Sequence, residues 1–172
     1  MIKYLYMLGL FFVIFCAGLI IGNGVKLVYE SSLFKPYEWR EKPIVINCYG
    51  PEFSELQFMR AVEFWSIRSN DIAFYEHNPP EEVCQIKSDI EGMIVIRKKA
   101  RGWKDGTLAL TTRRSIGISI ISATIMYSPG SFNLDLLNEH ELGHAFGFNH
   151  LEVDNHIMHP NYRKMGTSFW VP

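Results

Sequence analysis

The stretch His140-Glu141-Leu142-Gly143-His144-Ala145-Phe146-Gly147-Phe148-Asn149-His150 fits the pattern HExxHxxGxxH, which few backbone arrangements can satisfy. Residues four apart share one face of an α-helix, so His140 and His144 can bring two imidazoles to one metal ion. Glu141 comes next along the helix, where a carboxylate can reach a metal-held water without being a ligand, as a general base should. A third ligand cannot come from the same straight helix. Gly147 permits the left-handed turn that stops the helix and swings the chain back to His150. Three neutral imidazoles leave one position of tetrahedral Zn²⁺ for water, the open arrangement of a catalytic site, and no cysteine lies near this segment to close it. The competing HExxH plan takes a glutamate from a later helix, but Glu152 and Asp154, the only acidic residues after His150, are too close for that.

Met158 lies eight residues beyond His150, in His156-Ile157-Met158-His159-Pro160-Asn161-Tyr162. With it, the motif resembles the metzincin clan of zinc peptidases, most closely the matrixin branch. The resemblance implies a zinc endopeptidase acting on a peptide or protein substrate, with one catalytic Zn²⁺ held by His140, His144 and His150, and Glu141 as general base. It puts Met158 on a tight turn beneath the metal. It also makes Pro160 and Tyr162 a wall of the pocket for the substrate side chain just past the scissile bond. Gly106-Thr107-Leu108-Ala109-Leu110 resembles the matrixin edge strand, with Leu108 and Ala109 binding substrate as an added strand. Three nitrogens already suffice for the metal, so His156 and His159 are expected to be exposed turn residues, and His77, beside Asn78, Pro79 and Pro80, a loop residue.

The chain has 172 residues, 48% of them hydrophobic, and a net charge of −1, which suits one globular domain plus an appendage and gives no sign of nucleic-acid binding. From Tyr4 to Ile21 no residue is charged, and such a run of 18 extends about 27 Å as a helix. It reads as a transmembrane signal-anchor within residues 1–24, with a cleaved signal peptide as the rival. Lys3 favours a cytoplasmic N-terminus, which leaves the catalytic domain outside the cytoplasm, membrane-anchored or, after cleavage, secreted. Residues 25–42 show no sustained period and read as a tether. Set against the resemblance, they are too few for an inhibitory pro-domain and contain no cysteine to occupy the zinc. Export permits a Cys48–Cys84 disulfide, with two buried thiols as the alternative.

Residues 43–172 form the expected peptidase domain. Ile44–Tyr49 is a β-branched run ending at Gly50-Pro51, a first strand. Ser54 then caps a helix with Gln57 as capping-box partner, and Phe58, Ala61, Val62 and Trp65 repeat at helical intervals. Further strands are expected at Ile72–Tyr75, Met93–Ile96, Leu108–Thr111 and Ile118–Tyr127, and Arg97, Lys98, Lys99 and Arg101 form a solvated basic cluster. Ser131 or Asn133 should begin the metal-bearing helix, with Asp135 in its first turn. The fold class is therefore α+β: a metzincin-like domain with a twisted, mixed five-stranded sheet, a backing helix and a zinc helix, preceded by the transmembrane helix. Two departures from the family pattern stand out. Only ten residues follow Tyr162, so a long closing helix is not expected and Phe169 and Trp170 are candidates to pack in its place. No second, structural zinc or calcium loop is evident either. A non-catalytic zinc-bearing adhesion or receptor module is the rival from another class.

Overall fold

The β-branched run at Ile44 and the apolar run at Met93 form adjacent central strands because both of their faces are covered, the burial that near-continuous hydrophobic strands require. The computed structural model describes residues 33–86, 89–99 and 106–172. The elements in chain order are β1 (Glu38–Trp39), β2 (Ile44–Cys48), α1 (Glu55–Ser66), β3 (Phe74–Glu76), α2 (Glu81–Gln85), β4 (Met93–Lys98), β5 (Ala109–Ile116), β6 (Ser119–Tyr127) and α3 (Leu137–Ala145). Strands β3, β2, β4 and β6 run parallel in that spatial order, and β5 pairs antiparallel with β6. The result is a mixed α/β fold with a largely parallel sheet and few helices.

The described sheet has six strands rather than five. The extra one, β1, pairs in parallel with Ser119 and Ile120 of β6. It comes from the stretch read as tether, and from Leu33 onward that stretch packs on the domain. Phe34 is buried, and the Trp39 indole N–H donates to the Ala145 carbonyl at 2.8 Å. No periodicity marks two residues of strand and a few anchoring contacts, so composition alone reads them as linker. The apolar run Tyr4–Ile21, Cys16 and Arg101 lie outside the described residues, and among the described residues no helix is long and apolar enough to cross a membrane.

Helix α1 begins where Ser54 Oγ accepts from the Gln57 N–H at 3.4 Å. The reciprocal half of the expected capping box is missing, since the Gln57 side-chain oxygen is buried without a hydrogen bond. Phe58, Ala61 and Trp65 are fully buried on the face toward the sheet and α3. Aromatic rings dominate this core: Phe53 packs on Tyr49, Phe58, Tyr127 and Phe132, and Trp65 stacks on Phe148 at 5.0 Å. Phe169 closes the cluster edge-on to Trp65 and Phe148, while Trp170 is exposed and packs only its edge against His156. A disulfide joins Cys48 to Cys84, which anchors α2, a helix with no buried residue of its own.

Candidate metal centre

Helix α3 starts later than the sequence suggests. Ser131–Asn133 forms a separate turn of 3₁₀ helix, so Ser131 lies five residues before the cap position of α3, and its hydroxyl instead donates within reach of the carbonyls of Leu108 (2.7 Å) and Ser128 (2.9 Å). Asp135 therefore lies before the helix, and the cap position falls to Leu136, held in the left-handed region at φ +65°. A bulky residue there stores strain, which only surrounding packing can maintain. Leu142 and Ala145 are buried on the core side, and Leu137, His140 and His144 turn toward the cleft.

The helix ends at Gly147, φ +105°, where a Cβ would collide with the Tyr37 carbonyl. The chain then turns back and brings His150 to the other two histidines. His144 Nε2 lies 3.1 Å from His140 Nε2 and 3.0 Å from His150 Nε2. The opposite ring nitrogens fix the tautomers. His140 Nδ1 donates to the Ile157 carbonyl and His144 Nδ1 to the Phe148 carbonyl, both at 2.8 Å. A carbonyl can only accept, so in each neutral ring the proton sits on Nδ1 and Nε2 presents a bare lone pair. Burial, the largest cause, draws the His140 pKa down to about 4 and that of His144 to about 3, which keeps both rings neutral.

Converging lone pairs at this spacing repel one another unless a cation stands among them. Ligands about 2.0–2.1 Å from tetrahedral zinc would be about 3.3 Å apart, so the donor set fits that ion closely. The carbonyls that orient the rings act as outer-shell partners of the kind that fix ligand direction.

Ile157 belongs to the turn beneath the histidines. There Met158 is fully buried, its N–H donates to His156 Nδ1 at 3.1 Å, and its carbonyl accepts from Leu151 at 3.0 Å. His156 and His159 are thus not exposed turn residues. His156 is wholly enclosed by Phe34, Phe169 and Trp170, and His159 Nδ1 accepts from the Asn161 N–H at 2.9 Å. Both are structural acceptors that hold the turn.

Glu141 is buried within the same cleft, and desolvation lifts its pKa to about 7 against the opposing pull of a hydrogen bond from Thr111. The Thr111 hydroxyl lies 2.6 Å from Glu141 Oε2. Two places along β5, the Arg113 guanidinium donates to the carbonyls of His144 (2.6 Å) and Phe148 (3.2 Å) and to Asn149 Oδ1 (3.1 Å), tying the helix end to the loop that carries His150. Sequence reasoning missed both residues. The available signal was alternation: 109, 111, 113 and 115 are the less exposed positions of an edge strand that runs on to Ile116, beyond the expected end at Thr111.

Pro160, Tyr162, Leu108 and Ala109 all line the cleft, together with Leu134, Leu137 and Met165. The Leu108 carbonyl is turned into the sheet, where it accepts from the Ser128 N–H at 2.9 Å as well as from Ser131. His77 stays outside the cleft, its Nδ1 3.1 Å from the Tyr75 hydroxyl.

The family model described as Matrixin matches residues 51–170. The chain belongs to the matrixin family. It is accordingly a zinc metalloendopeptidase, with zinc as cofactor and a three-histidine group able to hold the ion. No curated protein matches the chain. For this matrixin the match covers α1, the sheet from β3 onward, the metal helix and the methionine turn, and it stops short of β1 and β2.

Proposed function

We propose that this matrixin is an exported endopeptidase, anchored at a membrane by its N-terminal apolar segment, in which His140, His144 and His150 hold the catalytic zinc and Glu141 is the general base. The observation that carries the reading is a single buried carboxylate sharing a cleft with three converging imidazole Nε2 atoms. When bound, zinc supplies Lewis acidity that polarises the scissile carbonyl and makes water acidic enough to ionise near neutral pH. Glu141 takes the proton of the attacking water as the C–O bond forms, then delivers it to the leaving amine as the C–N bond breaks. A carboxylate titrating near neutrality suits both transfers, although a cation beside it pulls its pKa below the value of the metal-free site.

Substrate binds along β5. Backbone groups of an antiparallel edge strand alternate between the sheet and the open side. Since the Leu108 carbonyl faces β6, Ala109 and Thr111 offer theirs to an added peptide strand, and Leu108 contributes only its side chain to the cleft. Pro160 and Tyr162 form the wall that receives the residue after the scissile bond, and Met158 supports the floor from its buried position.

The test is Glu141→Gln. Zinc should stay stoichiometric while cleavage of a diverse peptide library disappears, whereas His144→Ala should lose both. Full activity in Glu141→Gln would refute the mechanism. N-terminal sequencing of the native protein, from both the membrane fraction and the medium, separates an anchor from a cleaved, secreted form.

A further inference from the structure

We propose that Thr111 is a positioning residue for the Glu141 carboxylate, fixing which of its oxygens faces the proton to be moved. This rests on the reading of Glu141 as general base. The Thr111 hydroxyl has one proton and two acceptors within reach, Glu141 Oε2 at 2.6 Å and the Glu141 carbonyl at 3.1 Å. The contact to Oε2 is the shorter of the two, so the hydroxyl proton is assigned to the carboxylate. A buried Glu side chain needs such a constraint, because its terminal torsion is broad and roughly two-fold rather than locked in one well.

Thr111 is built to impose one orientation. Its β-branch restricts χ1, and its backbone is registered opposite Ile125, a fully buried residue of β6. The hydroxyl is therefore aimed by the sheet itself, across the cleft from the helix that carries the acid. With Oε2 engaged by Thr111, Oε1 keeps both of its acceptor sites and is the oxygen assigned to take up the proton. By strand alternation Thr111 also presents its own backbone at the edge where substrate adds, so one residue joins the substrate's strand to the base.

The test is the series Thr111→Val, Thr111→Ser and Glu141→Gln, measured on the zinc-loaded full chain. Thr111→Val keeps the branch and replaces the hydroxyl by a methyl. It should lower kcat about 10-fold or more, with KM within about two-fold, since a base must lie within hydrogen-bond reach of its proton in the transition state. Thr111→Ser should restore most of kcat. Zinc retention against a competing chelator should match the wild type in both variants, whereas a merely structural role would make zinc loss track activity loss. In a Glu141→Gln background, Thr111→Val should cost nothing further.

Wild-type kcat in Thr111→Val, or a Thr111→Ser variant no better than Thr111→Val, overturns the proposal. Activity surviving in Glu141→Gln would instead overturn the general-base reading on which it rests.

Discussion

Gly143 sits inside the metal helix, where an alanine would ordinarily stabilise by about 1 kcal/mol through helix propensity. Here the sign should reverse. A Cβ at Gly143 would come within 2.5 Å of both the Met158 sulfur and Cζ2 of the Trp65 indole, and 3.1 Å from Cη2 of that ring. Unstrained carbon contacts lie near 3.5–4.0 Å, so each neighbour must retreat by about 1 Å. Neither is free to do so. Both are fully buried, and the indole N–H is tied to the Glu139 carbonyl at 2.7 Å. Overpacking of this kind costs about 1–3 kcal/mol, occasionally more. With two collisions at the upper end of that range set against the propensity gain, Gly143→Ala should lose about 1–2 kcal/mol. For a domain of roughly 130 residues that is about 4–8 °C in Tm. The assay is thermal unfolding of the zinc-loaded and chelator-stripped proteins side by side. Because Met158 is displaced next to Ile157, whose carbonyl orients His140, the stabilisation gained from zinc should shrink as well. A Tm equal to or above the wild type would refute the claim that the methionine turn and Trp65 jointly close on this helix.

Two further outcomes follow from the same contacts. Cys48 and Cys84 are 36 residues apart, and closing that loop restrains the unfolded chain by about 4 kcal/mol, so Cys48→Ser/Cys84→Ser should melt roughly 10–15 °C lower. Neither cysteine lines the cleft, so turnover of the loaded enzyme at 25 °C should be unchanged; an unaltered Tm would contradict the bridge's role. In the metal-free protein, His140 and His144 fall from 6.5 to about 4 and about 3 on folding, so the unfolded chain binds more protons between those values and stability drops as pH falls below 6.5. Glu141 works the other way, since its rise from 4.5 to about 7 means the folded state gains a proton as pH falls. Removing that offset, metal-free Glu141→Gln should lose stability more steeply than the wild type between pH 6.5 and 4.5, by about 1.4 kcal/mol per pH unit. Urea unfolding at stepped pH measures this, and parallel profiles would disprove it.

The centre was legible because its spacing is local. His140 and His144 need only one turn of helix, and Gly147 with His150 need only one stop and one return. The central strands were legible for a similar reason: burial on both faces leaves a continuous β-branched signature at Ile44 and Met93. Of the long strand β5 only the start, expected at Leu108–Thr111, was legible, because the polar run Thr112-Arg113-Arg114 carries no apolar alternation and its inward positions are seen only where they grip α3. The start of α3 was misplaced because Ser131, a good cap by type, begins a separate 3₁₀ turn, and the helix itself starts only after Leu136. His156 and His159 read as surface residues by composition, yet Phe34, Phe169 and Trp170 pack around His156, and both histidines are buried where they accept backbone N–H groups of the methionine turn.

Three histidines that can converge, the helix that presents two of them and the acid beside them were all readable from the chain alone, since each depends on neighbours within about a dozen positions. Only the tertiary structure decided what aims those groups. Thr111 on Glu141, Arg113 across the helix end, the Ile157 carbonyl on His140, and the packing of Trp65 and Met158 against Gly143 all join residues far apart in the chain. Such contacts exist only once the sheet has fixed where each segment passes, and no local pattern encodes them.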